Sequence, residues 1–467
     1  MKNFIKFRKS IMLIMKTILI FGVLFSFLSV WQSFYSFALF SNVSNVLIVV
    51  SFLVAFITFN KLYGGFLIGI NRLHEIIYSQ TLAVLFTNLI IYFELCLLSR
   101  RLISAAPMLL AVAIQLGVVF CASYCANKTY FKLYPPRKII AVFDDETSGG
   151  SLIRKMSKMP ERFELSRGVS LLRYSIDEVK QLIDDYEGVI ICDVDKNVKH
   201  EILRYCYSNM KRAYVLPSSS DIMLGSSYQI QITDTPVLMC RNRGLTAEQQ
   251  ILKRLFDIVF SAIGIIVTSP VMLVVAAAIK ICDRGPVLFK QNRVTKNGKI
   301  FNVLKFRSMI VGADKMGAKG ATDNDERITP VGKIIRPLRI DELPQLFNIL
   351  FGSMSFVGPR PERIENVYEY TKAFPDFDLR HRVKAGLTGF AQIYGKYNTS
   401  PEDKLKMDLM YIERYSILFD IKLILITVKI LFMRESTEGF KESKNIVFQK
   451  SKSATELPCK ENENEQI

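Results

Sequence analysis

Two adjacent carboxylates, Asp341 and Glu342, lie in the run Arg336-Pro-Leu-Arg-Ile-Asp-Glu-Leu-Pro-Gln345, and Gly358-Pro-Arg-Pro361 follows a short way downstream. Paired acids flanked by arginines suit chemistry at phosphorus. One carboxylate oxygen attacks, the other carboxylate holds a divalent metal, and guanidinium groups clamp the anion. Asp favours helix N-caps and Pro is tolerated in a first turn, so Asp341 is expected to open a helix. A helix amino terminus would keep Asp341 ionised and attract the phosphate it attacks. Glu342 would then hold Mg²⁺, which neutralises charge on phosphate oxygens. An isolated Asp-Glu pair reads as a cap with an ion-pair partner; Arg336, Arg339 and Arg360 around this one favour the functional reading.

Further cations fall into two clusters. Lys305 and Arg307 follow the hairpin signal Asn297-Gly298, which places them on a strand with their side chains facing one way. Arg382 and Lys384 lie in Arg382-Val-Lys-Ala-Gly-Leu-Thr-Gly389, whose glycines allow close backbone approach to a ligand. Together with the carboxylates these residues suggest a nucleotide-diphosphate site. His74, His200 and His381 are too scattered for a metal cluster, and none of the eight cysteines forms a CxxC pair, which points to reduced thiols.

The elements that must position this chemistry begin in a membrane. Of the 467 residues half are apolar, and the first 126 hold four stretches long enough to span a bilayer: Ile11–Trp31, Val43–Leu62, Ile76–Leu98 and Leu102–Ala126. Basic residues before the first stretch, between the second and third, and after the fourth put the amino terminus and everything beyond residue 127 in the cytoplasm. Arg100 and Arg101 run against that trend. A net charge of +18 fits a protein on anionic lipid that handles phosphorylated ligands. Nucleic acid is not an expected partner, because zinc-finger spacing and aromatic-rich RNA motifs are both missing.

Residues 137–244 read as a small Rossmann-like parallel α/β domain with strands at Lys138–Phe143, Gly188–Cys192 and Arg212–Pro217. Its first turn, Asp144-Asp-Glu-Thr-Ser-Gly-Gly150, would repel a pyrophosphate, so a structural or regulatory role is expected rather than dinucleotide binding. The apolar run 254–281 carries Ser269-Pro270 near its middle. Two half-helices meeting there would enter the membrane and return to the same face; an ordinary kinked crossing is the alternative. The rest of residues 248–433 is a polar, Gly/Pro-rich catalytic domain of mixed α/β type, ending in Ile417–Met433, a helix expected along the membrane surface. The tail, 434–467, has the composition of a disordered segment.

Seven segments stand in a recognisable order: Lys253-Arg-Leu-Phe-Asp257, Ser269-Pro270, Lys305-Phe-Arg-Ser-Met309, Asp341-Glu-Leu-Pro-Gln345, Val357-Gly-Pro-Arg-Pro-Glu362, Gly386-Leu-Thr-Gly-Phe-Ala-Gln392 and Asp408-Leu-Met-Tyr-Ile412. In this the chain resembles the bacterial sugar transferases, the monotopic phosphoglycosyl transferases that start exopolysaccharide, capsule and O-antigen synthesis, in their long form. The resemblance implies transfer of sugar-1-phosphate from a UDP-sugar to undecaprenyl phosphate, with release of UMP and a covalent aspartyl intermediate. Carried onto this chain, Asp341 matches the nucleophile, Glu342 the magnesium-binding partner, Arg336 and Arg360 phosphate-contacting positions, and Ser269-Pro270 the break of a re-entrant helix.

Departures from the family pattern include Arg339 for a common Ser, Ser353 for Asp in Gly-Asp-Met-Ser, Lys384-Ala385 for Arg-Pro, and Lys396 for Arg. These bear on nucleotide and sugar specificity; the Asp-Glu pair is intact. Two other functions stay open on the residues alone. One is a membrane-tethered sugar-nucleotide dehydratase or epimerase, which would need a Gly-rich dinucleotide loop. The other is a non-catalytic scaffold of a polysaccharide assembly complex, which would not need Asp341. A homodimer through the middle domain and contacts with polysaccharide-assembly proteins are also open.

Overall fold

The structure is a computed structural model and describes residues 7–35, 42–144, 146–240, 244–313, 325–396, 399–431 and 455–456. It divides into two compact units, Met1–Leu216 with Glu442–Ile467, and Pro217–Lys441. The sequence-based boundary at residue 244 lies downstream of that division.

The first unit opens with four apolar helices, α1 (Arg8–Phe34), α2 (Asn42–Tyr63), α3 (Leu73–Ser99) and α4 (Ala106–Leu133). All four are long and apolar enough to cross a membrane. Except at the start of α4, which begins at Ala106 rather than Leu102, they run past the sequence-based limits because their polar ends continue the hydrogen-bond ladder. Arg72 and Glu75 form a capping box that starts α3, and Arg100, at φ 50°, ends it. Phe27, Phe52 and Phe56 stack in the bundle core, with Phe27 and Phe52 centroids 4.6 Å apart. Among the buried amides, Asn88 Nδ2 donates to Gln115 Oε1 at 2.6 Å. Leu13, Phe25 and Leu109 point outward and are exposed.

The second part of this unit is a parallel sheet of β1 (Arg137–Phe143), β2 (Phe163–Ser170), β3 (Gly188–Cys192) and β4 (Arg212–Val215), in the order β2-β1-β3-β4. Alternation along β1 sends Ile140 and Val142 to one face and Ile139, Ala141 and Phe143 to the other. Helices α6 (Ile176–Asp184) and α7 (Lys196–Ser208) cover the first face, and α5 (Glu146–Ser157) the second. Strand β2 escaped the sequence reading, because Glu164, Ser166 and Arg167 interrupt its apolar run. Of the tail read as disordered, only Thr455–Glu456 is among the described residues; it pairs antiparallel with β2 as β11.

The second unit, Pro217–Lys441, is of mixed α/β type. Helix α8 (Ser219–Gly225) and the hairpin β5–β6 (Tyr228–Ile232, Thr235–Met239) belong to it rather than to the parallel sheet, since Ile222 packs with Phe377, Leu405 and Leu409. Its longest element is α9 (Ala247–Asp283), the fifth helix able to cross a membrane by length and composition. The expected pair of half-helices is not seen. One hydrogen-bonded helix runs through Ser269-Pro270, and the local chemistry says why. Proline lacks the N–H that would bond the Ile266 carbonyl, and the Ser269 hydroxyl donates to that same carbonyl at 2.8 Å. Thr268 donates to Gly264 at 2.7 Å.

One face of α9 packs on the remaining elements. These are the hairpin β7–β8 (Leu288–Val294, Ile300–Phe306), α10 (Pro330–Ile335), α11 (Gln345–Phe351), β9 (Ser355–Val357), α12 (Ile364–Ala373), β10 (Gly386–Thr388), α13 (Phe390–Tyr394), α14 (Pro401–Glu413) and α15 (Ile417–Leu431). Arg254, near the start of α9, donates to the Ile349 and Leu350 carbonyls, while Met272, Val275 and Ile279 pack with Phe306 and Ile335. The opposite face exposes Ile266, Val267, Leu273 and Val274. In α15 the charged interruption at Asp420 is turned inward, where it accepts from Lys253 and Tyr411.

Candidate active site

Helix α10 ends at Arg336, and Arg339 then adopts a left-handed conformation (φ 53°) that turns the chain sharply. A short 3-10 turn, Ile340–Glu342, follows, and α11 begins only at Gln345 with Pro344 as its N-cap. Asp341 is therefore not the helix cap that the sequence suggests; Pro344 displaces it by fixing the entry to the helix three residues later. The turn is anchored from beneath by Ile340 and Leu343, which join the cluster under Phe306 and Ile335.

The two carboxylates meet different surroundings. Glu342 Oε1 accepts from Lys305 Nζ at 2.9 Å and from Arg360 Nη2 at 3.4 Å. Burial alone would raise its carboxyl, but Lys305 and Arg360 outweigh burial and hold it down to about 2. For Asp341 burial wins. It pushes the carboxyl up to about 6, against the pull of Lys305 and Arg336 and with the Glu342 charge reinforcing it. Burial thus works against the ionisation expected of Asp341 at a helix terminus, although a carboxyl at about 6 is still largely ionised at neutral pH. One carboxylate is fixed as a permanent anion bridging two cations, and the other changes charge close to neutrality, a separation that assigns two different tasks.

Arg360 is presented by the loop that follows β9. Gly358 is required there, because a Cβ would lie 2.3 Å from the Lys384 carbonyl oxygen as β9 and β10 come together. Two arginines, Arg380 buried and Arg293 half-buried, hold the loop's own carbonyls: Arg380 donates to Arg360 O and Arg293 to Pro361 O, each at 3.0 Å. Arg380 is itself paired with Asp408 at 2.8 Å. Burial, with Arg360 nearby, lowers Arg293 to about 10. The Arg360 side chain stays accessible, and the Glu342 charge raises its guanidinium.

Glu342, Lys305, Arg360, Arg293, Gln345 and Gln392 line one cleft. The structure brings Lys305 and Arg360, both expected from the sequence, to Glu342, and adds Arg293 and Gln392 to the cleft and Arg380 behind its loop, which the sequence reading did not single out. No spacing marks an arginine in an ordinary strand, although Gln392 closes a quoted motif. Arg307 lies just past the end of β8, buried with its guanidinium against Gly285, and does not line the cleft. Lys384 lines a separate pocket, and the Arg382 backbone lies against Gly244. The basic cluster 382–389 therefore does not converge on the carboxylates as one site. Strand β10 turns its glycine backbone, through Gly386, toward the cleft instead.

Among the described residues no third Asp, Glu, Cys or His joins Asp341 and Glu342 in a group that could hold a metal. Two carboxylates suit Mg²⁺, which is commonly bound by one or two of them together with substrate phosphates. Glu342 Oε1 is engaged by cations, which leaves Oε2 as the fitting donor.

The unit is thus a mixed α/β domain built on a long apolar helix, with a carboxylate set between an arginine and a lysine. Comparison with known proteins makes the class specific. The family model described as bacterial sugar transferase matches residues 248–434. A UDP-glucose:undecaprenyl-phosphate glucose-1-phosphate transferase of Klebsiella pneumoniae is 41% identical over 211 residues, 44% of this chain and 45% of that protein. A UDP-N-acetylgalactosamine-undecaprenyl-phosphate N-acetylgalactosaminephosphotransferase of Aeromonas hydrophila is 42% identical over 181 residues, 38% of this chain and 43% of its own length. A sugar transferase of Bacillus subtilis, itself uncharacterised, is 40% identical over 189 residues, 40% of this chain and 91% of its length. The chain belongs to the bacterial sugar transferase family. It spans less than half the length of the first two of these relatives.

Proposed function

We propose that this protein transfers sugar-1-phosphate from a UDP-sugar to undecaprenyl phosphate, and so begins assembly of a surface polysaccharide. The observation that carries the reading is the unequal carboxylate pair: Glu342 tied to Lys305 and Arg360, and Asp341 beside it with its charge close to neutral balance. An Asp341 carboxylate oxygen attacks the sugar-bearing phosphorus. The bond from that phosphorus to the bridging oxygen breaks, and UMP leaves with the electron pair. A phosphate oxygen of undecaprenyl phosphate then attacks the same phosphorus, the Asp341–phosphorus bond breaks, and undecaprenyl-diphospho-sugar departs. Arg360 and Lys305 counter the charge that builds on the phosphoryl oxygens. Arg336 stabilises the ionised form of Asp341. Glu342, through Oε2, would hold Mg²⁺, which when bound lends further charge neutralisation to the phosphates.

In the same reading the four N-terminal helices cross the bacterial inner membrane, the parallel sheet is a Rossmann-like unit with no dinucleotide, and the transferase unit works on the cytoplasmic face. Helix α9 stays on that face. Its inner side contacts the transferase elements from Arg254 at one end to Ile279 at the other, which supports a helix that dips into the bilayer without leaving its own domain.

The test is a covalent trap. Wild-type protein in membranes, given UDP-sugars labelled at the sugar-bearing phosphorus and quenched in acid, is expected to retain label with stoichiometric UMP release. Asp341→Asn is expected to lose both by a factor of at least about 10³. Label retained by Asp341→Asn would refute the nucleophile. Wild-type protein that releases no UMP from any of a panel of UDP-sugars would favour the scaffold.

A further inference from the structure

A second pocket, of ≈ 460 Å³, lies beside the amino-terminal half of α9 and shares no lining residue with the Glu342 cleft. Leu245, Ile251, Leu255, Ile258 and Val383 form its apolar walls. Four cations also line it: Lys253, Arg254, Lys296 and Lys384. Lys253 is committed to Asp420, Arg254 to two backbone carbonyls at 2.7 Å, and Lys296 to Gln250 at 3.0 Å. Lys384 makes no hydrogen bond or ion pair among the described residues. Burial, reinforced by the Arg254 and Lys296 charges, lowers its ammonium below the usual value. The one carboxylate in the lining, Asp257, accepts from Ser355 Oγ and Phe356 N; its charge favours the Lys384 ammonium, but a single carboxylate leaves the four cations net positive even with Asp420 counted.

The apolar wall continues out of the pocket. Ile251, Leu255 and Ile258 follow at intervals of four and three residues, so they share one helix face, and they are 71%, 58% and 39% exposed. This face leads along α9 toward the exposed Ile266, about 22 Å from Ile251 at 1.5 Å per residue. A free anion needs no apolar wall, and an apolar peptide needs no uncompensated ammonium. A molecule with an anionic head and a long hydrocarbon chain matches both halves.

We propose that this pocket seats the phosphate headgroup of an anionic bilayer phospholipid. Lys384 and Lys296 face the phosphate, and an acyl chain lies along Ile251, Leu255 and Ile258. The seat would set the depth of α9 at the membrane surface. It is independent of the transfer reaction, so its failure would leave that reading untouched.

The experiment uses the full chain in detergent micelles, with dioleoylphosphatidylglycerol as the probe and retained lipid read by native mass spectrometry. Wild type is expected to retain phosphatidylglycerol over phosphatidylcholine, and each of Lys384→Ala and Lys296→Ala to weaken retention about fivefold. Photoactivatable phosphatidylglycerol should label the peptide 245–258 of the wild type, a measurement that needs no variant to fold. Three results would overturn the proposal. Labelling of 245–258 could be absent, inorganic phosphate could displace the lipid at equal concentration, or undecaprenyl phosphate could displace it preferentially, which would make the pocket an acceptor seat.

Discussion

The parallel sheet of the first unit and the transferase unit solve the burial problem in opposite ways. In the sheet, β1 and β3 are wholly apolar inside, each face is covered by helices, and Ile139 to Phe143 alternate between two hydrophobic clusters. In the transferase unit the strands are short and paired in twos, and charged side chains lie deep: Lys253, Asp257, Arg307, Arg380, Asp408 and Asp420 are all buried. A regular apolar core excludes the groups that chemistry requires. The irregular one gathers buried ions around a turn and a loop: Lys253 is paired with Asp420, and Arg380 holds both Asp408 and a backbone carbonyl. The lesson is that polarity is buried where the chain must fix an active group, and stability there depends on pairs rather than on area.

That contrast can be tested from its strongest consequence downward. Asp408→Asn leaves the buried Arg380 with only Glu362, 4.0 Å away, as a counter-charge, and breaking such a buried pair typically costs about 3–5 kcal/mol. A fall in thermal midpoint and in UMP release together is expected, because Arg380 also holds the Arg360 carbonyl. A variant as stable as wild type would show that this pair is not what fixes the loop.

Ile190→Ala, in the centre of the sheet, should cost about 2–4 kcal/mol by leaving a cavity. Here UMP release per folded molecule should stay within about twofold of wild type, measured at a temperature where the variant is folded. A large loss of turnover would mean that the sheet takes part in catalysis after all.

The smallest effect belongs to Asp341 itself. Its carboxyl is raised from 3.8 to about 6, so the folded state binds the proton more tightly than the unfolded one. The stability this gives is present at low pH and lost as pH rises through about 6. Asp341→Asn should therefore be more stable than wild type at pH 8, by on the order of 1–2 kcal/mol after allowing for solvent access, and the difference should shrink toward pH 5. UMP release by wild type should fall in the same window, as the nucleophile takes up its proton. A pH-independent difference in stability would reject the burial of Asp341 as its cause.

Much of this was legible without coordinates. The four apolar helices, the hairpin at Asn297-Gly298, strands β1, β3 and β4, and the partnership of Asp341 and Glu342 with Arg360 and Lys305 all follow from composition and spacing. Periodicity and turn chemistry are local, so the sequence carries them directly. Strand β2 was hidden because its polar residues face outward at its start, and Arg293 and Arg380 were hidden because nothing local distinguishes a structural arginine from a surface one.

By itself, then, the sequence determined the inventory: which helices are apolar, which motif carries the acids, which family the chain resembles. The tertiary structure alone decided how those groups are used. It bonded Glu342 to two cations from strands and loops distant in the chain, set Asp341 half-buried in a 3-10 turn, gave the Ile266 carbonyl to Ser269 so that α9 continues, and sent Lys384 to a pocket of its own. The physical reason is one of range. Propensity acts over a few residues, whereas desolvation and Coulomb interaction depend on whatever the folded chain brings within a few ångströms.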